Sequence, residues 1–328
     1  MTMEGVHLLE QLQTPALMVS RGQVQFANSA AKGLLGAHIV GEDVRIAIRD
    51  PKAVAAILSE DGGSARVSGL STGGSVWEVD CRTIGPNERL VSLYDLSERV
   101  SVAKSHADFV ANASHELRTP LANVIGYVET LMNPKAGGDE AVRNRFLGTI
   151  RHEAQRMQAL ISDLMSLSRI EAVKHEVPSD RVDVVALAHE VAGEFRSGAR
   201  VSVTANRADA VIAGDRGQLS QVLRNLIDNA LKYGRAGGPV EIAVEAARTG
   251  WVLVTVRDEG EGISPEHLPR ITERFYRADT SRSRAAGGTG LGLSIVKHIV
   301  ERHRGRFDIE SRPGSGTTAS LMLPLKET

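Results

Sequence analysis

The sequence predicts a multidomain α+β chain: a small antiparallel α+β domain, a helical hairpin, and a C-terminal α/β sandwich. Three observations carry that prediction. Short strand-like runs alternate with short helical ones over residues 1–95, an apolar heptad stripe fills residues 96–175, and strands interleaved with amphipathic helices occupy residues 180–328. The 328 residues leave room for two or three domains, and 42% apolar content is ordinary for a globular chain.

In the first segment PALMVS and QVQFAN flank Arg21-Gly22, a hairpin-type break, and NSAAKGLL follows as a short helix. DVRIAIRDPKAVAAILSE is helical in period apart from Pro51. SARVSGL, SVWEVDCRTI and RLVSLYDL read as three more strands, turning at Gly73-Gly74 and Gly85-Pro86-Asn87.

From Leu96 the pattern changes. Leu96, Val100, Ala103, Ala107, Val110, Ser114, Leu117, Leu121, Val124, Val128 and Leu131 recur in steps of three and four. The stripe resumes after NPKAGGD at Leu147, Ile150, Ala154, Met157, Ile161, Leu164 and Ser168. Two antiparallel helices with one stripe each bury it best in a homodimeric four-helix bundle. A monomeric hairpin covered by another domain is the alternative.

The third segment reads as helices over about 184–197, 215–233 and 264–276, with a further helix starting near Gly290. Its strands are ARVSVTA, PVEIAVEA, WVLVTVRD, RFDIES and TTASLMLPL.

Charge and composition exclude several classes. With 39 basic and 40 acidic residues the net charge is −1, which gives no footprint for nucleic acid. No apolar run approaches the roughly 18 residues that cross a bilayer, and no signal-peptide pattern opens the chain. The lone Cys81 forms no internal disulfide and fits a reducing compartment. These features give the expectation of a cytoplasmic chain without a transmembrane segment.

The chemistry concentrates in the third segment. DEGEG at 258–262 follows an apolar strand, and GGTGLGLSIVKHIV at 287–300 runs into an amphipathic helix with Leu291, Ile295 and Ile299 on one side. A glycine loop opening a helix offers bare N–H groups to phosphate, and Gly288, Gly290 and Gly292 remove the blocking Cβ atoms. The Walker and dinucleotide patterns are absent. In DRGQLSQVLRNLIDNALKYG the buried face is Leu219, Val222, Leu223, Leu226, Ile227, Ala230 and Leu231, which puts Asn225, Asn229 and Lys232 together on its flank. Asparagine is poor in a helix interior, so the pair calls for a role. With Asp258 and both glycine loops, the constellation points to an ATP–Mg²⁺ site.

These segments resemble a known family. NLIDNALKYG, DEGEGI, ERFYR, GGTGLGLSIVKHIV and GSGTTASLMLP are similar, in order, to the N, G1, F and G2 boxes and last strand of histidine-kinase ATP-binding domains. SHELRTP looks like the H box of the same family. The resemblance covers about residues 100–326 and is to sensor histidine kinases of two-component systems, of the PhoR-like group. The first 95 residues look like a PAS domain through ALMVSRGQVQFANSAAKGLLG.

The resemblance implies that His115 takes the γ-phosphoryl group of ATP and passes it to an aspartate on a response regulator receiver domain. Glu116 matches the general base. Glu116 and Thr119 match an E-x-x-T pattern associated with dephosphorylating the regulator, with Thr119 orienting a water. Asn229 matches the Mg²⁺ ligand, and Asn225, Lys232 and Tyr233 match positions near the metal and phosphates. Asp258 matches the aspartate that binds the adenine amino group, with Gly260 and Gly262 beside the base. Arg277 matches a basic residue that reaches the γ-phosphate, and Phe275 anchors a lid over about 277–289. Gly288, Thr289, Gly290, Leu291 and Gly292 form the phosphate loop. Thr318, ahead of Thr317, is expected to support the adenine pocket.

Two other classes fit the residues less well. A catalytically degenerate, ATP-binding dimeric scaffold would have lost His115, Asn229, Asp258 or a G2 glycine, and none is lost. Gyrase-like ATPases place a glutamate where this helix has Asn225, and they have no H box. Of the ten histidines, the nine besides His115 read as solvated surface residues. For the N-terminal domain a small ligand, a partner protein or dimerisation alone all fit. The stripe running into the H box implies that signals reach His115 as a rotation or register shift of a helix pair.

Overall fold

The computed structural model describes residues 3–71, 74–133, 138–173, 176–195, 200–206, 210–247, 250–278 and 288–326. The chain forms two compact units, Met1–Val110 and Ala111–Thr328.

The first unit opens with helix α1 (Met3–Glu10), which the sequence pattern did not announce. Strands β1 (Ala16–Ser20) and β2 (Gln23–Ala27) turn at Arg21-Gly22, where both residues have positive φ. Helix α2 (Ser29–Leu35) starts at Asn28, a fully buried side chain with every polar atom used. Its Oδ1 accepts the N–H groups of Ala16 and Ala31, and its Nδ2 donates to the carbonyls of Leu9, Leu12 and Thr14. One amide therefore ties α1, β1 and α2 together. The helical run after it is two helices, α3 (Val44–Ala47) and α4 (Pro51–Leu58), each capped by an aspartate, Asp43 and Asp50. Pro51 begins the second, where its missing N–H costs nothing.

Strands β3 (Gly63–Ser68), β4 (Val76–Gly85) and β5 (Glu88–Asp95) complete an antiparallel sheet of order β2-β1-β5-β4-β3. Gly74 lies in the β3–β4 turn, and Gly73 is outside the described residues. One face of the sheet, with Leu17, Val19, Val79, Cys81, Val91 and Leu93, packs on the helices. Burial pushes the Cys81 thiol up, and the side chain behaves as a small apolar filler.

The long helix α5 (Ser97–Met132) continues through Pro120. In the second unit it pairs antiparallel with α6 (Glu140–Ala172), whose first N–H groups are capped by Asp139. Tyr127 and Phe146 meet at 5.2 Å between ring centroids, and Asn123 donates to Glu153 at 3.1 Å. The predicted stripe stays half open: Leu121, Val128, Leu147 and Ile161 are 42–51% exposed, and Ser114 is exposed. The residues of α6 that do disappear are Leu160, Leu167 and Ile170. The last turns of α6 lie against the following domain, which covers a second face that heptad counting does not anticipate.

That domain starts with β6 (Arg181–Asp183), α7 (Val184–Glu194) and β7 (Arg200–Ala205), then β8 (Val211–Ala213) and α8 (Arg216–Tyr233). Strands β9 (Pro239–Ala246) and β10 (Trp251–Asp258) follow, then α9 (Gly292–Arg302), β11 (Arg306–Ser311) and β12 (Thr317–Pro324). The five-stranded sheet has the order β11-β12-β10-β9-β7, antiparallel except for β7 with β9. Alternation in β9, β10 and β12 sends Val240, Ile242, Val244, Val252, Val254, Val256, Ala319, Leu321 and Leu323 to the helix-covered face. The helix expected over 264–276 is absent. Pro265 and Pro269 break it into single turns, including a 3₁₀ turn at Leu268–Arg270, and Phe275 adopts φ 63°. Among the described residues no helix is long and apolar enough to cross a membrane.

Candidate nucleotide and phospho-acceptor site

Asp258 ends β10 with 7% exposure, on the same face as the core valines. Its Oδ1 accepts the Gly260 N–H at 2.7 Å, and the Thr317 N–H also donates to the carboxylate. Burial pushes the Asp258 carboxyl up, and those two N–H groups pull it back. The surrounding backbone leaves no room for side chains. A Cβ on Gly260 would lie 2.3 Å from the Tyr233 carbonyl, and one on Gly262, at φ +72°, would lie 2.0 Å from the Arg312 carbonyl.

Register separates the two candidate threonines. Asp258 pairs with Thr317, whereas Thr318 pairs with Arg257 and turns to the other face. Side chains alternate along a strand, so Thr318 cannot share Asp258's surroundings.

On α8, Asn225 donates from Nδ2 to the Gly292 carbonyl at 3.2 Å, which ties the helix to the opening of α9. Asn229 is half-buried one turn on, while Lys232 and Tyr233 are exposed. Lys232 pairs with Asp228 at 2.6 Å. Gly288 and Thr289 lead into Gly290, which has φ +74° and accepts the Phe275 N–H at 2.9 Å. Leu291 is buried and anchors the loop, and Gly292 begins α9. Residues 279–287 of the expected lid lie outside the described residues.

The H-box residues sit on α5. His115 is exposed, and the Thr119 hydroxyl donates to its carbonyl at 3.4 Å. Glu116 Oε2 meets Arg156 Nη2 of α6 at 3.2 Å and Arg277 Nη1 at 4.0 Å. The arginine expected on a phosphate is thus turned toward the acid beside His115. Thr289 likewise donates to the Asp163 carboxylate of α6 at 2.7 Å.

Several contributors escape a reading of motifs. Asp163 and Arg156 carry no local signal, because Asp163 is placed by packing on the following domain and Arg156 by the pairing of α6 with α5. Reading the nine remaining histidines as solvated surface residues fails at His303, which is 2% exposed. Its Nε2 accepts the Asp215 N–H at 2.9 Å and its Nδ1 donates to the Ile299 carbonyl at 2.7 Å. The spacing Ile295, Ile299, His303 in steps of four on the buried face was the available clue.

The arrangement fits a nucleotide. A buried carboxylate beside bare glycine backbone suits a flat base with a donor edge, and a glycine loop opening a helix suits phosphate oxygens. Among the described residues no group of three or more His, Cys, Asp or Glu could hold a metal. An ion here would rest on a single amide oxygen, phosphates and water, as Mg²⁺ does.

A helical hairpin with an exposed histidine, followed by this helix-covered sheet, defines a phospho-acceptor module joined to an ATPase module. Residues 105–173 match the model for the His Kinase A (phospho-acceptor) domain. Residues 214–327 match that for the histidine kinase-, DNA gyrase B- and HSP90-like ATPases. The chain is 34% identical over 326 residues to the sensor-like histidine kinase SenX3 of Mycobacterium tuberculosis, covering 97% of this chain and 74% of that protein. It is 40% identical over 241 residues to the phosphate regulon sensor protein PhoR of Pseudomonas aeruginosa, covering 71% of this chain. The chain spans about half of PhoR's length, 53%. The solved histidine kinase AdeS of Acinetobacter baumannii matches at TM-score 0.50 and 25% identity, over 65% of this chain and 98% of that one. The chain belongs to the sensor histidine kinases of two-component systems.

Proposed function

We propose that the chain is an ATP-dependent protein histidine kinase that phosphorylates His115 and transfers the group to an aspartate of a response regulator receiver domain. One observation supports this most: the H box and the F-box arginine meet, with Arg277 4.0 Å from Glu116 beside the exposed His115. Neutral imidazole is a competent nucleophile near pH 7. As a ring nitrogen bonds to the γ-phosphorus, the bridging P–O bond breaks and ADP leaves. Glu116 holds the proton on the other ring nitrogen, and Arg277 moves from Glu116 to the transferring group. Such transfers need positioning and charge neutralisation more than covalent help. Asn229 would hold Mg²⁺ through its amide oxygen, with Asn225 and Lys232 beside it, and the ion would supply charge neutralisation for the phosphates. Thr119 orients a water for the reverse task of dephosphorylating the regulator.

The half-exposed stripe of Leu121, Val128, Leu147 and Ile161 supports a homodimer through a four-helix bundle. The sheet order β2-β1-β5-β4-β3 and its helical cover support reading residues 1–95 as a PAS-like sensor. The need for ATP and a regulator supports a cytoplasmic catalytic part.

Incubation with γ-labelled ATP and Mg²⁺ tests the reading. Wild type should carry an acid-labile, base-stable label that His115→Ala and Asn229→Ala lack. Label persisting in His115→Ala would overturn the assignment.

A further inference from the structure

The carboxylate of Asp163 belongs to the hairpin but sits at the glycine loop. Its Oδ2 accepts the Thr289 hydroxyl at 2.7 Å, and that hydroxyl accepts the Leu291 N–H at 3.3 Å, just ahead of α9. The Lys232 ammonium attracts the same carboxylate, while Asp228 opposes it. A hydroxyl, the opening of a glycine-led helix and a lysine are groups that bind phosphate oxygens.

The seating is organised by neighbouring contacts. One helical turn on, the Ser166 hydroxyl donates to Gln221 of α8 at 2.8 Å. Glu171 pairs with Arg274, and Arg302 Nε donates to the Val173 carbonyl at 3.2 Å. Leu167 and Ile170 are buried between these contacts. Stability does not explain the carboxylate in their midst. Burial pushes the Asp163 carboxyl up from its usual range, with Thr289 and Lys232 only partly opposing. An apolar residue would dock at lower cost.

We propose that Asp163 is an internal mimic of an ATP phosphate: its carboxylate and the nucleotide compete for the Thr289–Lys232 corner, so ATP binding releases the catalytic domain from α6. The inference rests on the proposed reading of this corner as the phosphate site, and it adds the competitor and the order of events. An empty site is held against the hairpin. The arriving triphosphate displaces Asp163, and the freed domain can then approach a histidine.

Calorimetric titration of the full chain with ATP, ADP and adenosine, each with Mg²⁺, tests the proposal in wild type and Asp163→Ala. Removing one acceptor from a contested site should tighten ATP about three- to tenfold, ADP less, and adenosine not at all. Unchanged or weaker ATP binding, or an equal gain for adenosine, overturns it. Hydrogen exchange supplies a check without substitution, since saturating ATP–Mg²⁺ should raise exchange over 163–170 of wild type. Unchanged exchange there overturns the competition. Wild type that binds no ATP would instead remove the proposed function itself.

Discussion

The two ends of the nucleotide site are closed by different means. At the base end the domain uses its own backbone: Asp258 is held by the N–H groups of Gly260 and Thr317, and Gly316, at φ +84°, leaves no room for a Cβ against the Asp258 carbonyl. At the phosphate end, side chains are committed to carboxylates of the hairpin: Thr289 to Asp163, Arg277 toward Glu116, and Arg274 to Glu171. Backbone closure is set once on folding. Side-chain partnerships across a domain contact can be exchanged for others. On the proposed reading of the site, base recognition is constant in this fold, and phosphate recognition is the part that can be switched.

The largest effect should come from breaking the rigid end. In Gly262→Ala a Cβ meets the Arg312 carbonyl at 2.0 Å in a backbone at φ +72°. Strain and clash together should cost about 2–4 kcal/mol. At roughly 2–4 °C per kcal/mol for a unit of this size, the melting temperature should fall by about 5–15 °C. ATP binding should disappear in calorimetry. Wild-type melting and affinity in this variant would show that the base end yields as readily as the phosphate end.

Next in size is a paired test of two buried acids. Both Asp258 and Asp163 have carboxyls raised by burial. A raised folded pKa means the fold favours the protonated form, so the ionised acid costs stability at neutral pH, and the cost fades as pH falls through the folded value. Neutralising either acid should leave the melting temperature at pH 7 unchanged or higher. Their effects on ATP should diverge. On the proposed reading, Asp258→Asn removes a charge-assisted bond to the base, about 1.5–3 kcal/mol or roughly 10- to 150-fold in affinity. Asp163→Asn should not weaken ATP binding. Equal losses in the two variants would erase the distinction between the ends.

How much of this was legible depended on how local the signal was. The N, G1 and G2 segments state their geometry within a few residues, because helix flanks and glycine turns are short-range properties. Strands β9, β10 and β12 were legible as apolar runs, but their order in the sheet was not, because pairing is long-range. Thr318 and Thr317 could not be ranked from the sequence, because register, a long-range pairing with β10, decides which threonine faces Asp258. Apolar periodicity over 264–276 outweighed Pro265 and Pro269 in the reading, and the chain obeyed the prolines. Asp163 could not be found at all, since its place is set by how α6 packs on another domain.

The smallest predicted effect concerns the joint between the two helices that carry the site. Asn225 ties α8 to the start of α9, and His303 ties the end of α9 to Asp215, the N-cap of α8. Burial, with the nearby Arg302 guanidinium, lowers the His303 pKa, while its bond to Ile299 and the Asp215 carboxylate oppose the shift. Nε2 must be unprotonated to accept the Asp215 N–H, so the fold favours the neutral ring. The unfolded chain takes up the proton first as pH falls below about 6.5, and stability drains away from there toward the folded value. Once the ring is protonated, a buried N–H loses its acceptor, at about 1–2 kcal/mol. In His303→Gln an amide oxygen can keep that bond at every pH, which should flatten the decline in melting temperature between pH 7.5 and 5.5. An equally steep decline in the variant would assign the acid sensitivity elsewhere. A flattened one would show that the far end of the α8–α9 pair is held by a titratable bond, while the nucleotide end is held by an amide that pH does not touch.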